Sequence, residues 1–160
     1  MNEKAGFIGA GNMATAIIRG AIASGSLDGR RIMVVNKANK ERLERLQRDY
    51  GVRAATSLEE LVRECDTLVL AVKPGDVPAV LEALVAACGD GLQRRRLLIS
   101  VAAGVPLSFL EKALGPGFAV LRSMPNTPAQ VGEGVTAICA GASVTEREKA
   151  VGEGLLASTG

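Results

Sequence analysis

The chain has 160 residues, of which 48% are hydrophobic and 22% are charged, and its formal net charge is +2. This balance is typical of a water-soluble globular protein with a sizeable core, and it favours neither nucleic acid nor a membrane surface as a partner. Three phenylalanines and one tyrosine, with no tryptophan, leave few rings on which bases could stack.

Histidine is absent, which excludes Ser-His-Asp triads, imidazole acid–base chemistry and histidine-based metal sites. Cys65, Cys88 and Cys139 are far apart and have apolar neighbours, so we expect buried thiols in a reducing compartment and no metal site. No signal peptide precedes the first predicted strand and no apolar run reaches membrane-spanning length, so a cytoplasmic location is expected. The run Arg94-Arg95-Arg96 is interpreted as a solvated loop before a strand.

Apolar runs and helical periodicities alternate along the chain. The pattern predicts a first strand ending at Ile8 and further strands over Arg31–Val35, Val52–Ala55, Thr67–Val72, Leu97–Val101, Ala119–Arg122 and Val135–Ala140. Between and after them it predicts helices over Asn12–Ser24, Lys40–Tyr50, Val77–Cys88 and Pro106–Leu114, a helix capped by Ser57, and a last helix from Thr145 toward Ala157. This alternation indicates an α/β fold of the Rossmann type, with a doubly wound, mostly parallel sheet. Right-handed crossovers would collect the loops after the strands at one edge, where ligands bind in such sheets.

The segment Ala5–Ala14 joins the first strand to the first helix through a Gly-x-Gly-x-x-Ala turn. Gly9 would allow the tight turn, Gly11 would let the backbone approach phosphates, and Ala14 would let the helix pack closely on the strand. The helix N-terminus then offers free N–H groups to an anion. The sequence therefore predicts that residues 1–160 form one NAD(P)-binding domain, with the pyrophosphate at Ile8, Gly9, Ala10, Gly11, Asn12 and Met13.

The residues after the second strand bear on which dinucleotide binds. NAD-selective folds usually carry Asp or Glu there, whereas this chain has Asn36 and Lys37, with Lys40 and Arg42 close behind. A carboxylate would repel the 2′-phosphate of NADP, whereas an amide N–H could donate a hydrogen bond to it and a nearby cation would offset its charge. NADP is therefore the favoured cofactor and NAD remains open. The alternative is that these cations merely form the exposed start of a charged helix.

Three further loops lie at the predicted carboxyl edge of the sheet. The candidate residues there are Ala71, Val72, Lys73, Pro74, Val101, Ala102, Ala103, Met124, Pro125, Asn126 and Thr127. Pro74 turns the backbone outward after its strand, and the small residues from Val101 to Ala103 leave room for a flat ring. Lys73 is either a ligand group or a surface lysine. Two prolines stiffen the last loop and hold Asn126 and Thr127 between them.

These segments together resemble a known family. GFIGAGNMA, AVKP, SVAAGV and RSMPNTPA, in this order and spacing, are similar to the N-terminal half of pyrroline-5-carboxylate reductase. The resemblance implies reduction of 1-pyrroline-5-carboxylate to proline by NADPH or NADH, the last step of proline synthesis. It also implies that Ile8 to Met13 hold the pyrophosphate and that Asn36 lies near the adenosine ribose. Ala71 to Pro74 and Val101 to Ala103 would line the cofactor, with Met124, Pro125, Asn126 and the adjoining Thr127 near the nicotinamide and the imine.

Members of that family continue into a helical domain that forms the homo-oligomer and supplies much of the substrate pocket, including a hydroxyl group that assists protonation of the imine. The resemblance therefore implies no catalytic side chain within these residues, and we expect the polypeptide to bind cofactor but to reduce imine poorly. Two alternatives stay open. One is the N-terminal domain of a hydroxyacid dehydrogenase of the 6-phosphogluconate type or of a deazaflavin-linked NADP reductase. The other is a stand-alone NADP-binding or sensing module.

Overall fold

In a computed structural model of the protein, the described residues are 4–36, 39–89, 94–125 and 136–157. Their strands are β1 (Ala5–Ile8), β2 (Ile32–Val35), β3 (Arg53–Ala54), β4 (Thr67–Leu70), β5 (Arg96–Ser100), β6 (Phe118–Pro125) and β7 (Thr136–Ala140). Their α-helices are α1 (Asn12–Ala23), α2 (Lys40–Tyr50), α3 (Leu58–Glu64), α4 (Val77–Cys88), α5 (Leu107–Leu114) and α6 (Glu146–Ala157).

The strands form one seven-stranded sheet in the order β3-β2-β1-β4-β5-β6-β7. Strands β1 to β6 are parallel, and β7 is antiparallel to β6. The chain crosses the sheet between β3 and β4, so that β1 pairs with β2 on one side and with β4 on the other. The prediction of a doubly wound, mostly parallel Rossmann-type sheet is confirmed.

Both faces of the sheet are covered, which explains the nearly continuous apolar strands. On one face Phe7 and Ile99 pack with α1 and α6, whose Ile17 and Leu155 belong to the same buried cluster. On the other face Leu68, Leu98 and their neighbours pack with α3, α4 and α5. The two layers hold the carboxyl ends of the parallel strands at one edge.

Local signals position several helices as the sequence predicts. Thr145 and Glu148 exchange two hydrogen bonds, each side chain accepting from the other residue's backbone N–H, which is a complete capping box at the start of α6. At α3 the Ser57 hydroxyl accepts from the Glu60 N–H, but the Glu60 carboxylate accepts from Thr56 instead. Helices α2 and α4 have the predicted bounds.

The arginine run is not the solvated loop that the sequence analysis expected. Arg94 and Arg95 are exposed, but Arg96 is the first residue of β5 and is only 5% exposed. Its guanidinium donates to the carbonyl oxygens of Val62 at 3.2 Å and Arg94 at 3.1 Å. Arg94 donates to the carbonyl oxygen of Arg63 at 2.7 Å. The two arginines therefore satisfy carbonyl groups at the end of α3, where helical partners have run out.

The expectation for the cysteines is wrong at one position. Cys65 and Cys88 are buried, as predicted, but Cys139 is exposed. Cys139 lies in β7 opposite Arg122, and β7 is one of the two edge strands of the sheet among the described residues. An edge strand leaves side chains uncovered even when its sequence is apolar. Within the same residues, no helix has the length and apolar character needed to cross a membrane.

Candidate cofactor site

A cleft of about 730 Å³ opens where β1, β2 and β4 end. Its lining comes from the turns after these strands and from α2, α3 and α4. The lining residues are Ile8, Gly9, Ala10, Gly11, Val35, Asn36, Asn39, Arg42, Leu58, Ala71, Val72, Lys73, Asp76, Ala79, Val80 and Ala83. Open parallel sheets bind ligands at this point, where the strand order reverses.

The turn after β1 owes its shape to Gly9. This residue has φ of 107°, a conformation that side chains disfavour, and its N–H donates to the Val35 carbonyl at 2.9 Å. A Cβ atom on Gly9 would lie 2.5 Å from the Ala71 carbonyl oxygen, too close for any other residue. Gly11 differs, because a Cβ there would meet nothing within 4 Å and would project into free space. The space beside Gly11 fits a group that approaches the backbone closely.

The first turn of α1 faces this space without a side-chain cap. Gly11 is the N-cap residue and no acidic residue lies in the first turn. Ala14 is fully buried, so that the helix lies close to the sheet. The amides at this end carry the positive end of the helix dipole. The arrangement suits an anionic group such as a pyrophosphate.

The end of β2 forms the second polar part of the cleft. The half-buried Asn36 side chain donates through Nδ2 to the Asn39 carbonyl at 3.0 Å. This bond uses one of the two N–H groups of the amide, and the part of the chain that the structure describes shows no partner for the other. Asn39 caps α2 by accepting the Arg42 N–H at 3.1 Å. Lys37, also predicted to bind cofactor, lies outside the described residues.

Arg42, which the sequence analysis named as a nearby cation but not among the candidate site residues, lines the cleft. Its Nη1 donates weakly to the Ala10 carbonyl at 3.5 Å and to Asn12 Oδ1 at 3.4 Å. The signal for it was available in the sequence, since it lies three residues after the Asn39 cap, in the first turn of a helix that starts at the ligand edge.

The rest of the cleft is mostly apolar. Val35, Leu58, Val72, Val80 and the alanines of α4 supply this surface, which suits a flat, weakly polar ring. Lys73 and Asp76, both exposed, add one charge of each sign. Within the described residues no group of three or more metal-ligating side chains occurs.

The structure brings together some of the predicted site residues and separates others. Ile8 to Gly11, Asn36 and Ala71 to Lys73 all line the cleft, whereas Asn12, Met13 and Pro74 are not among the lining residues. The segment Val101–Ala103 follows β5 at the same edge of the sheet and lies outside the cleft, with the Val101 N–H donating to the Leu70 carbonyl.

The last predicted segment is only partly described. Met124 and Pro125 end β6, and the Met124 side chain is 45% exposed. Asn126 and Thr127 lie outside the described residues. Ser123, within β6, is fully buried and its hydroxyl has no hydrogen-bond partner among the described residues.

The glycine turn, the uncapped helix and the cleft at the switch point together define the class of Rossmann-type dinucleotide-binding domains. The sequence model of the family described as "NADP oxidoreductase coenzyme F420-dependent" matches residues 4–104. The chain belongs to this family.

Three relatives extend the comparison to the whole chain. The pyrroline-5-carboxylate reductase of Escherichia coli K12 is 39% identical over 150 residues, which cover 94% of this chain and 54% of the relative. The solved structure of a pyrroline-5-carboxylate reductase from Coxiella burnetii is 34% identical, with a TM-score of 0.90. The match covers 100% of this chain and 57% of that one. That of Plasmodium falciparum pyrroline carboxylate reductase with NADP bound is 29% identical, with a TM-score of 0.82 over 99% of this chain and 56% of that one.

The chain thus spans about half the length of the relatives it matches. Four sequence segments indicated a similarity to the N-terminal half of pyrroline-5-carboxylate reductases. The comparisons confirm this similarity.

Proposed function

We propose that this chain is the cofactor-binding half of a pyrroline-5-carboxylate reductase and that it binds NADPH in preference to NADH. The observation that carries the proposal is the cleft beside Gly11, where the backbone turn and the start of α1 leave room for a pyrophosphate. The relatives support the substrate, since those compared above are named pyrroline-5-carboxylate reductases or pyrroline carboxylate reductase.

The preference for NADPH rests on the end of β2. No carboxylate occurs in the segment from Val35 to Lys40, where an NAD-selective domain would place one to accept the ribose hydroxyls. The free N–H of Asn36 and the nearby Arg42 would instead face the additional phosphate of NADP. A bound NADP in the Plasmodium relative is consistent with this choice.

In the proposed reaction the bound nicotinamide supplies a hydride to the imine carbon of 1-pyrroline-5-carboxylate. The residues of this chain bind and orient. The glycine turn would hold the pyrophosphate, and the apolar side of the cleft, which Val72 and Val80 line, would hold the adenine. A protonated imine is already electrophilic, so the chemistry depends mainly on orientation. This agrees with a sequence that has no histidine.

The substrate pocket and its proton donor are assigned to residues beyond those of this chain, since the relatives are about twice as long. We therefore propose that the 160-residue polypeptide binds cofactor but has little or no reductase activity, and that the longer protein is a homo-oligomer. A deazaflavin-linked reductase is less well supported, because the family match ends at residue 104. The segment RSMPNTPA, which carries the resemblance to the imine reductase, follows that point.

Calorimetric titration with NADPH and then with NADH tests the proposal. We expect micromolar binding of NADPH and at least about tenfold weaker binding of NADH, which corresponds to about 1.4 kcal/mol. A folded protein that binds neither dinucleotide would show that the cleft has another purpose. Separate assays of NADPH oxidation with 1-pyrroline-5-carboxylate test the second part, and a turnover like that of a complete reductase would contradict it.

A further inference from the structure

The two edges of the sheet differ in how they are protected. At one edge β3 has only two residues, and its Arg53 forms an ion pair with Glu64 at 3.4 Å. At the other edge β7 has five residues, Thr136–Ala140, with neither a charge nor a proline among them. Short strands, charges and prolines are the usual features that keep an edge strand from pairing with another chain. The edge at β7 has none of the three.

The pairing of β7 with β6 shows which of its backbone groups point outward. The Gly141 N–H donates to the Val120 carbonyl at 2.9 Å, one pair beyond the register of the two strands. Such bonded pairs alternate along antiparallel strands, so Cys139 also directs its N–H and C=O groups toward β6. The residues whose groups point the other way are Thr136, Ile138 and Ala140. No described strand pairs with them on that side.

The side chains of β7 leave this edge open to a second strand. Ala137, Cys139 and Ala140 are exposed, and Ile138 is only partly buried. Met124, which lies opposite Ala137 on β6, is 45% exposed and extends the apolar surface toward the edge. An approaching strand of the same sequence therefore meets small or apolar side chains and no like charge within β7.

We propose that β7 is an interface between two copies of this chain, which pair in antiparallel orientation about Ile138. In this arrangement Ile138 lies opposite Ile138 of the second copy, and Thr136 lies opposite Ala140 of the second copy. All three outward residues of each copy then find backbone partners, and one continuous sheet runs through both copies. A two-fold axis of this kind uses the same surface on both subunits. The chain itself thus supplies the uncharged strand that its open edge requires.

The interface is small and lies away from the cofactor cleft. Contacts that bury less than about 1,200 Å² are typical of weak, transient complexes, so we expect a dissociation constant of about 10–100 μM. The cleft opens at the ends of β1, β2 and β4, and β5 and β6 separate β4 from β7. Pairing through β7 therefore leaves the cleft free. The inference does not rest on the proposed function, and a failure to bind dinucleotides would leave it standing.

Sedimentation velocity of the 160-residue protein, between about 1 and 500 μM, tests for the dimer. Ala140→Pro removes an outward N–H and no bond to β6, and a proline is tolerated at such a position of an edge strand. Ala140→Ser is the matched control, since it keeps the N–H. We expect Ala140→Pro to weaken self-association by about tenfold or more and Ala140→Ser by less than about twofold. Far-ultraviolet circular dichroism verifies folding.

Disulfide cross-linking tests the register and does not need the proline variant to fold. With Ile138 on the axis, residue 137 lies opposite Cys139 of the second copy in a non-hydrogen-bonded pair, with Cα atoms about 4.5 Å apart, which suits a disulfide. The two Cys139 residues lie on a diagonal of about 7–8 Å, outside the usual range. Ala137→Cys should therefore form covalent dimers with diamide, which takes up the two electrons and two protons that the thiols lose.

Three controls accompany the cross-linking. The parent protein, Ala137→Cys combined with Cys139→Ser, and Ala86→Cys should each cross-link at least about tenfold more slowly, since none places two thiols opposite each other. Ala86 is exposed on α4, away from β7, so that its variant measures random collision. Peptide mapping should locate the bond between residues 137 and 139.

Defined results would overturn the proposal. A parent protein that stays monomeric up to 500 μM would do so, as would a dimer that Ala140→Pro leaves unchanged, because another surface would then be responsible. Equal cross-linking rates for Ala137→Cys and Ala86→Cys would show that β7 is not an interface. A predominant bond between the two Cys139 residues would contradict the pairing about Ile138.

Discussion

Gly9 lies directly against the backbone of Ala71, so that a Cβ atom on Gly9 would lie 2.5 Å from the Ala71 carbonyl oxygen. This contact joins the turn after β1 to the end of β4, the two strands between which the sheet reverses its order. The two glycines of the turn therefore have separate requirements. Gly9 is required by the protein itself, whereas the space beside Gly11 is left for a ligand.

Substituting each glycine by alanine should separate folding from binding. Gly9→Ala should lower the free energy of unfolding by about 3 kcal/mol or more, through a disfavoured φ and a backbone clash. Gly11→Ala should cost less than about 1 kcal/mol, as for a weaker helix cap. It should nevertheless weaken NADPH binding about tenfold or more, because the methyl group occupies the cleft. Urea denaturation and calorimetry measure both quantities; a Gly11→Ala protein with unchanged affinity would contradict the assignment.

Helix α6 contains a second instructive pair of glycines. A Cβ on Gly152 would lie 2.3 Å from Leu121 Cδ1, whereas a Cβ on Gly154 would meet nothing within 4 Å. Gly152→Ala should destabilise the fold by about 1–2 kcal/mol, because a fully buried leucine must move. Gly154→Ala should stabilise it by about 0.5–1 kcal/mol through helix propensity. Equal shifts in the urea midpoint for the two variants would show that α6 does not pack on β6 as described.

Two neighbouring arginines should differ in their effect on stability. Arg96→Met should cost about 2 kcal/mol, since it removes the buried donor to the Val62 carbonyl at the end of α3 and to the Arg94 carbonyl. Arg95→Met removes an exposed pair with Glu148 and a bond to Ser143, and should cost about 0.5 kcal/mol. Thermal unfolding of both variants measures the difference. A loss that is as large for Arg95 as for Arg96 would contradict the buried role of Arg96.

The cysteines should react in two classes. Cys139 is exposed, and Cys65 and Cys88 are buried. Burial raises the pKa of the Cys65 thiol to about 11 and also raises that of Cys88 above its ordinary value. Because only the thiolate attacks, a disulfide reagent at neutral pH should label Cys139 in the native protein and the other two only after denaturation. A Cys139→Ser variant serves as the control and should show no rapid labelling.

The raised pKa of Cys65 also leads us to expect that the folded protein loses stability at alkaline pH. Its folded pKa of about 11 lies above the ordinary value of 9.0, so the unfolded chain releases a proton first as the pH rises. The stabilisation is present below pH 9 and is lost between about pH 9 and 11. Urea denaturation across this interval should show a steeper decline for the parent protein than for Cys65→Ala, whose starting stability is lower. Parallel curves would exclude Cys65 as the source.

The pKa of the Glu148 carboxylate is shifted in the opposite direction, so this group affects stability at acid pH. Its hydrogen bond with Arg95, aided by Thr145, holds the pKa of Glu148 below its ordinary value. Its contribution is therefore present above the ordinary pKa of 4.5 and is lost as the pH falls through the lowered folded value. Glu148→Gln should flatten the stability profile below about pH 4.5 and change it little at pH 7, as for a partly exposed pair. An unaltered acid slope would contradict this.

Most of the architecture follows from local signals. The Gly-x-Gly turn, the Ser57 and Thr145 caps and the apolar periodicities predicted the elements and their alternation, because each signal acts within a few residues. The glycine turn and the Asn36 segment were also expected at the cleft, since parallel strands bring their carboxyl ends together.

Features that depend on distant neighbours were missed. The buried Arg96 has its acceptor in the Val62 carbonyl of α3, more than thirty positions away in the chain, which no short pattern reveals. Cys139 is exposed because β7 is an edge strand, a property of the assembled sheet. The position of Arg42 in the lining of the cleft depends on how α2 lies beside the glycine turn.

The central position of β1 has a consequence for biosynthesis. Of the described strands β1 is made first, and it pairs with β2 on one side, but its other edge is completed only when β4, ending at Leu70, has been made. At translation rates of about 5–20 residues per second, the nascent chain holds an apolar strand with an open edge for a few seconds or more. The cleft also includes residues that follow β4, so cofactor binding must wait until this edge has formed.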